Sequence, residues 1–148
     1  ASDRENAAST EKKVLAGLRE MSMELPVPGI LESPFGVFES KIFSYKKQKI
    51  EEKKYTKWFD YDKIKNSPCV RTRRQGDYLT VNSEGGKKKL NRIFIDEKIP
   101  AEMRDRLPVV AAGSEILWIP GGRMNEKYKI TSTTGRVLEL HYQGGALA

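Results

Sequence analysis

Ile116, Leu117, Trp118 and Ile119 form an unbroken apolar run, closed by Pro120-Gly121-Gly122. A half-buried strand alternates polar and apolar residues, and this run does not. It belongs in the middle of a sheet with both faces covered, so the rest of the chain must supply the covering layers.

The segments on either side fit that demand. From Pro26 to about Val81, GVFESKIFSY and YTKWF are rich in aromatic and β-branched residues, PCVRTRR alternates, and PVPGIL and SPFG read as turns. In the alternating run Val70 and Thr72 face one way, Arg71 and Arg73 the other. Residues 46–57, KKQKIEEKKYTK, carry mixed charge and few apolar groups, which predicts an exposed, solvated hairpin connection. After Gly85 and Gly86 the period turns helical: Leu90, Ile93 and Phe94 share one side, Lys88, Lys89 and Arg92 another, and the helix should stop before Pro100. A short helix, AEMRDR, follows, and then VVAA, EILWIP, KYKIT and GRVLELHY read as strands. Strands, two helices, then strands predict an α+β fold with mixed sheets rather than a doubly wound one. Near the start Val14, Leu15, Leu18, Met21 and Leu25 recur at helical spacing up to Pro26, as the last helix of an upstream helical region would. The chain divides accordingly: residues 1–24 a tail and that helix, 25–143 the main region (25–81 strand-rich, 82–143 helix-helix-strand), and 144–148 a tail.

Charge points to the partner. The chain has 148 residues, with 27 Lys plus Arg against 20 Asp plus Glu, and this excess of +7 favours an anionic partner. No stretch approaches the ~20 apolar residues of a bilayer span, and ASDRENAAST lacks the apolar middle of a signal peptide, so no membrane partner and a cytoplasmic location are expected. The single Cys69 and single His141 leave no cluster for zinc or a Cys/His nucleophile pair, and no Ser/His/Asp or paired-carboxylate spacing appears. No catalytic residue, metal site or cofactor is expected within this chain. Phe35, Phe38, Phe43, Trp58 and Trp118 lie in strand-like runs and read as core rather than as base-stacking platforms.

NSEGGKKKL, residues 82–90, does not make a nucleotide-binding P-loop, because Val81 stands where the first glycine is needed and Lys88 where the hydroxyl is needed. Two readings remain. One is a solvated basic loop; the other is a phosphate seat, with Lys87, Lys88 and Lys89 beside the free N–H groups of a helix N-terminus. Three cations there oppose the helix dipole, and a broken local rule invites a functional explanation. Arg71, Arg73 and Arg74 form a second basic strip, and their planar forks suit phosphate.

The ordered motifs R-x-R-x-x-G-D, K-K-L, F-I-D-x-K-I-P, R-D-R-x-P and W-x-P-G-x-R, over about residues 24–142, resemble the C-terminal region of bacterial tRNA(Ile)-lysidine synthase. That family's enzyme attaches lysine to the wobble cytidine of an isoleucine tRNA anticodon. Its chemistry resides in an N-terminal PP-loop domain that uses ATP and magnesium, whose Ser-Gly-Gly-x-Asp-Ser motif has no match here. The resemblance implies a C-terminal domain sharing its architecture with a domain of phenylalanyl-tRNA synthetase. It also implies as partners the tRNA(Ile) acceptor stem and the enzyme's own catalytic and middle domains. Carried over, Arg71, Arg73, Gly76 and Asp77 match the first motif, Lys88, Lys89 and Leu90 the second, and Arg123 the arginine of the last. Family members commonly have an acid at the position of Arg92, so this helix is more basic than the pattern. Gly76 and Asp77 are expected to shape a turn, and Arg104, Asp105 and Arg106 to form a helix-end charge network. Arg71, Arg73, Arg74, Lys87, Lys88, Lys89, Arg92 and Arg123 are the expected tRNA-binding set, converging on one face. The alternative is a structural domain that packs on the absent domains or on a second copy as a homodimer, without touching RNA.

Overall fold

A computed structural model describes Lys13, Gly17 and residues 21–144 except 52. In chain order the elements are β1 (Ser22–Glu24), β2 (Gly29–Ser33), β3 (Gly36–Ser44), β4 (Thr56–Asp60), β5 (Cys69–Arg71), β6 (Tyr78–Thr80), β7 (Lys87–Lys89), α1 (Leu90–Asp96), α2 (Ala101–Arg104), β8 (Val109–Ala112), β9 (Glu115–Trp118) and β10 (Arg136–Gly144). The predicted α+β class holds.

Two sheets form. One has six strands in the order β1-β5-β8-β9-β6-β7, antiparallel except where β6 meets β9; the other is fully antiparallel in the order β2-β3-β10-β4. The apolar run of β9 lies inside the first sheet, and Ile116, Leu117 and Trp118 are fully buried. Its faces are covered by different layers. Val110, Ala112, Leu117 and Trp118 meet Phe38, Phe59, Leu138 and Leu140 of the four-stranded sheet, while Val109, Ala111 and Ile116 meet Leu90, Ile93 and Phe94 of α1. Phe59 and Trp118 join the two sheets edge to face with centroids 6.4 Å apart, the geometry that ring quadrupoles favour. The layers are thus the four-stranded sheet, the six-stranded sheet and the helix.

Several expectations are corrected. The helix expected to run up to Pro26 does not reach it: Ser22–Glu24 is an edge strand, with Met23 opposite Val70. Lys13 and Gly17 are helical, and the rest of that segment lies outside the described residues. PVPGIL is not only a turn, since β2 begins at its Gly29. Residues 46–55 are exposed as expected where described but do not close a hairpin, because β10 inserts between β3 and β4. KYKIT is not a strand: Glu126–Tyr128 is a 3-10 turn begun by Asn125, whose side chain accepts from the Lys127 N–H and donates to Ile116 O. The two halves divided at residue 81 interleave, since β5 and β6 pair with β8, β7 and β9.

Phe94 fastens α1 to the sheet. Phe94→Ala should lower the unfolding free energy by about 3–5 kcal/mol, the usual cost of emptying a buried phenyl site, as read from urea denaturation.

Candidate nucleic-acid interface

The basic residues fall into two groups once their partners are counted. Arg71 is 2% exposed, and its fork grips a carboxylate: Nη1 donates to Asp77 Oδ2 at 2.9 Å and Nη2 to Asp77 Oδ1 at 2.8 Å. It also donates to the carbonyls of Thr72 and Gly113. Burial alone lowers the pKa of a guanidinium, but the hydrogen bonds and charge of Asp77 outweigh it and the net shift is upward. The alternation read from PCVRTRR is real. It places Arg71 opposite Val109, on the face that α1 covers, so this arginine is an internal tie and not a surface contact.

Asp77 extends the tie. It accepts the Arg74 N–H on Oδ2 at 2.7 Å, and its own carbonyl accepts the Leu90 N–H at 2.9 Å. Gly76 completes the turn at φ +90°, a conformation that side chains other than glycine adopt with strain. Arg73 is half-buried, bonding Asp105 through Nε at 2.9 Å and Asn91 through Nη1 at 3.0 Å. The arginine segment is therefore anchored beside the start of α1.

The lysines precede the helix as a strand, and only Lys89 touches the helix start, as its N-cap residue. Lys87–Lys89 is a strand antiparallel to β6, with Lys87 opposite Thr80, Lys88 opposite Leu79 and Lys89 opposite Tyr78. The preceding turn closes on Asn82, whose Oδ1 accepts the N–H groups of Glu84 and Gly86. NSEGG is thus a hairpin turn, a signal legible in the alternation of Tyr78-Leu79-Thr80-Val81 ahead of it. The Leu90 N–H that opens α1 is taken by Asp77 O, so that donor is not offered to a ligand.

Along β7, the last strand of its sheet, successive side chains alternate between two faces. Lys88 shares the face of Leu79 and ion-pairs with Asp96, which also accepts Arg92 at 3.2 Å. Lys87 and Lys89 point to the other face and are exposed, and the Lys87 ammonium stands 5.2 Å from the centroid of the Tyr78 ring. At the far end of β6 the half-buried Arg123 reaches Val81 O with one long contact of 3.4 Å. Arg74 thus precedes β6, Lys87 and Lys89 stand on β7 and Arg123 touches the residue after β6, and among the described residues none of the four has a carboxylate within ion-pair distance. Arg71, Arg73, Lys88 and Arg92 are held by Asp77, Asp105 and Asp96. Tyr78 and Asp77 are the participants that charge-based reading undervalued.

Among the described residues no three His, Cys, Asp or Glu side chains converge where a metal ion could sit, and no helix is long and apolar enough to cross a membrane.

The fold and this edge define a class of molecule: a two-sheet α+β domain with a basic strip along one sheet margin. Comparison with known proteins narrows the class. The profile described as the TilS substrate C-terminal domain matches residues 69–140. The tRNA(Ile)-lysidine synthase of Caldanaerobacter subterraneus subsp. tengcongensis is 50% identical over 88 residues, 60% of this chain and 19% of that protein. That of Geobacillus kaustophilus is 38% identical over 123 residues, 81% of this chain and 26% of that protein. A solved structure described as the crystal structure of a TILS C-terminal domain superposes with a TM-score of 0.70 at 33% identity, covering 84% of this chain and 96% of that one. The chain belongs to the family of tRNA(Ile)-lysidine synthase C-terminal domains. It spans only 19% of the first of these relatives, and 26% of the second.

Two outcomes test this division of roles. Arg71→Ala strands a buried carboxylate and should cost about 3–5 kcal/mol of stability by chemical denaturation. The hydrogen bond from Lys88, together with the charges of Arg92 and Lys88, holds the Asp96 carboxyl below its usual range. A carboxyl depressed in the folded state stabilises above its unfolded pKa, and that stability disappears as pH falls through the folded value. In an NMR titration Asp96 should therefore protonate below about 3.9, and Lys88→Ala should move the midpoint up.

Proposed function

We propose that this domain holds the acceptor stem of an isoleucine tRNA for an enzyme whose catalytic domain, with ATP and magnesium, joins lysine to the wobble cytidine of the anticodon to give lysidine. The observation that carries this reading is the strip of Arg74, Lys87, Lys89 and Arg123 along one sheet edge, each lacking a carboxylate partner among the described residues. Family membership supports a tRNA as the ligand. A double-stranded RNA stem hides its base edges in a deep, narrow groove, so a row of cations meets phosphates and 2′-hydroxyls and positions the stem without reading its sequence. Arg71, Arg73, Lys88 and Arg92 act behind this row by holding the strand and helix that present it. In this reading the domain catalyses nothing, and its other partners are the enzyme's catalytic and middle domains in the cytoplasm.

A second reading, packing on those domains or on a second copy, draws on the outer face of the four-stranded sheet. There Ile30 on β2 is 63% exposed, and on the same face Phe43 and Trp58 are half-buried toward the opposite margin of the sheet. A stable dimer in sedimentation without RNA would favour it.

The salt dependence of binding to an acceptor-stem hairpin decides the first reading. Each phosphate neutralised contributes roughly 0.7–0.9 to the slope of log affinity against log salt. Lys87→Ala combined with Lys89→Ala should flatten the slope by roughly 1.4–1.8 and leave the denaturation midpoint in place. An unaltered slope would remove β7 from the interface.

A further inference from the structure

Where the strip ends at Arg123, a cleft begins. Gly121 lies at φ +79°, and a Cβ there would come within 2.9 Å of Tyr55 Cε1 and 3.7 Å of Lys54 Cε. The chain between β3 and β4 is therefore seated on the turn after β9. The space beside this contact measures about 420 Å³ and is bordered by Ile50, Trp58, Arg123, Met124, Lys129 and Ile130. That volume is within the range of small-ligand sites.

Its lining combines two chemistries. Trp58 supplies an aromatic surface fixed in advance: its Nε1 donates to Glu139 Oε1 at 3.0 Å, and its ring meets Phe43 edge to face with centroids 5.0 Å apart. Met124, Ile50 and Ile130 add apolar sides, and Arg123 supplies a guanidinium with one long protein contact. A flat aromatic platform next to a cation is what an unpaired nucleotide requires, the base stacking and the phosphate pairing. Arg123 belongs to both places, because the carbonyl it touches follows Thr80, the residue opposite Lys87.

We propose that this cleft takes an unpaired nucleotide continuing from the RNA duplex held along β7, with its base on Trp58 and its phosphate on Arg123. The direction of approach rests on the duplex reading above; the chemistry of the cleft does not. Trp58 is then a recognition surface as well as a packed residue.

The test compares three RNAs on the whole chain: a blunt hairpin, the same hairpin with a few unpaired nucleotides at either end, and a short single strand. At least one overhang hairpin should bind about fivefold tighter than the blunt one or better. It should also quench tryptophan emission, which reports on Trp58 because the only other tryptophan, Trp118, is fully buried. Trp58→Ala should bring the hairpins to one affinity. If that variant unfolds, Glu51→Lys decides instead: Glu51 is exposed at the rim, and exchanging its carboxylate for an ammonium should tighten the overhang hairpin about threefold over the blunt one. Equal binding of blunt and overhang hairpins, or no gain from Glu51→Lys, overturns the cleft and leaves the duplex reading standing. Quenching by the single strand without binding of the blunt hairpin overturns the duplex reading and keeps the cleft, and no binding by any RNA overturns both.

Discussion

The buried pair of Arg71 and Asp77 holds together the parts of the molecule that matter for binding. Its two parallel hydrogen bonds join the end of β5 to the start of β6, and the second guanidinium nitrogen also reaches the turn between β8 and β9 at Gly113. The same aspartate fixes the backbone of Arg74 with its side chain and the first residue of α1 with its carbonyl. A buried charge pair stabilises little compared with well-packed apolar residues, because desolvation offsets most of the attraction. What this pair contributes is position. One aspartate, through its carboxylate and its backbone carbonyl, sets where the arginine segment ends, where the hairpin of β6 and β7 begins, and where the helix starts.

Most of the architecture was legible in the amino-acid sequence. The unbroken run of β9, the aromatic strands β3 and β4 and the i, i+3, i+4 face of α1 each carry one dominant signal, and each formed as expected. Failures occurred where two signals compete. Three lysines are poor strand formers and follow glycines, so local reading assigned them to a helix start; the hairpin turn on Asn82 and the pairing with β6 override that preference. KYKIT alternates like a strand but is bent by the Asn125 cap.

The candidate site was legible by residue type and less so by role. Alternation correctly put Arg71 and Val70 on opposite faces, yet it cannot tell which face is covered, and here both are. Pairing within the protein was invisible for the same reason: Asp77, Asp105 and Asp96 come to their cations through turns and strand register that no local pattern encodes. Lysines on a margin strand also serve the fold itself, because charge there discourages pairing with another chain. Both uses require the ammonium groups to remain in water, so they do not conflict.

The position of β10 has a consequence for how the molecule is made. This strand is the last of the described elements, yet it lies between β3 and β4 and supplies Leu138 and Leu140 to the layer between the sheets. Until it emerges from the ribosome, β3 and β4 have no common neighbour and the apolar face of the larger sheet lies bare. Pairings so distant along the chain carry a large loop-closure cost. The helix layer, whose cluster holds no residue of β10, can close earlier, but the contact between the two sheets must wait for this strand, and losing it would leave that face of the larger sheet open and adhesive.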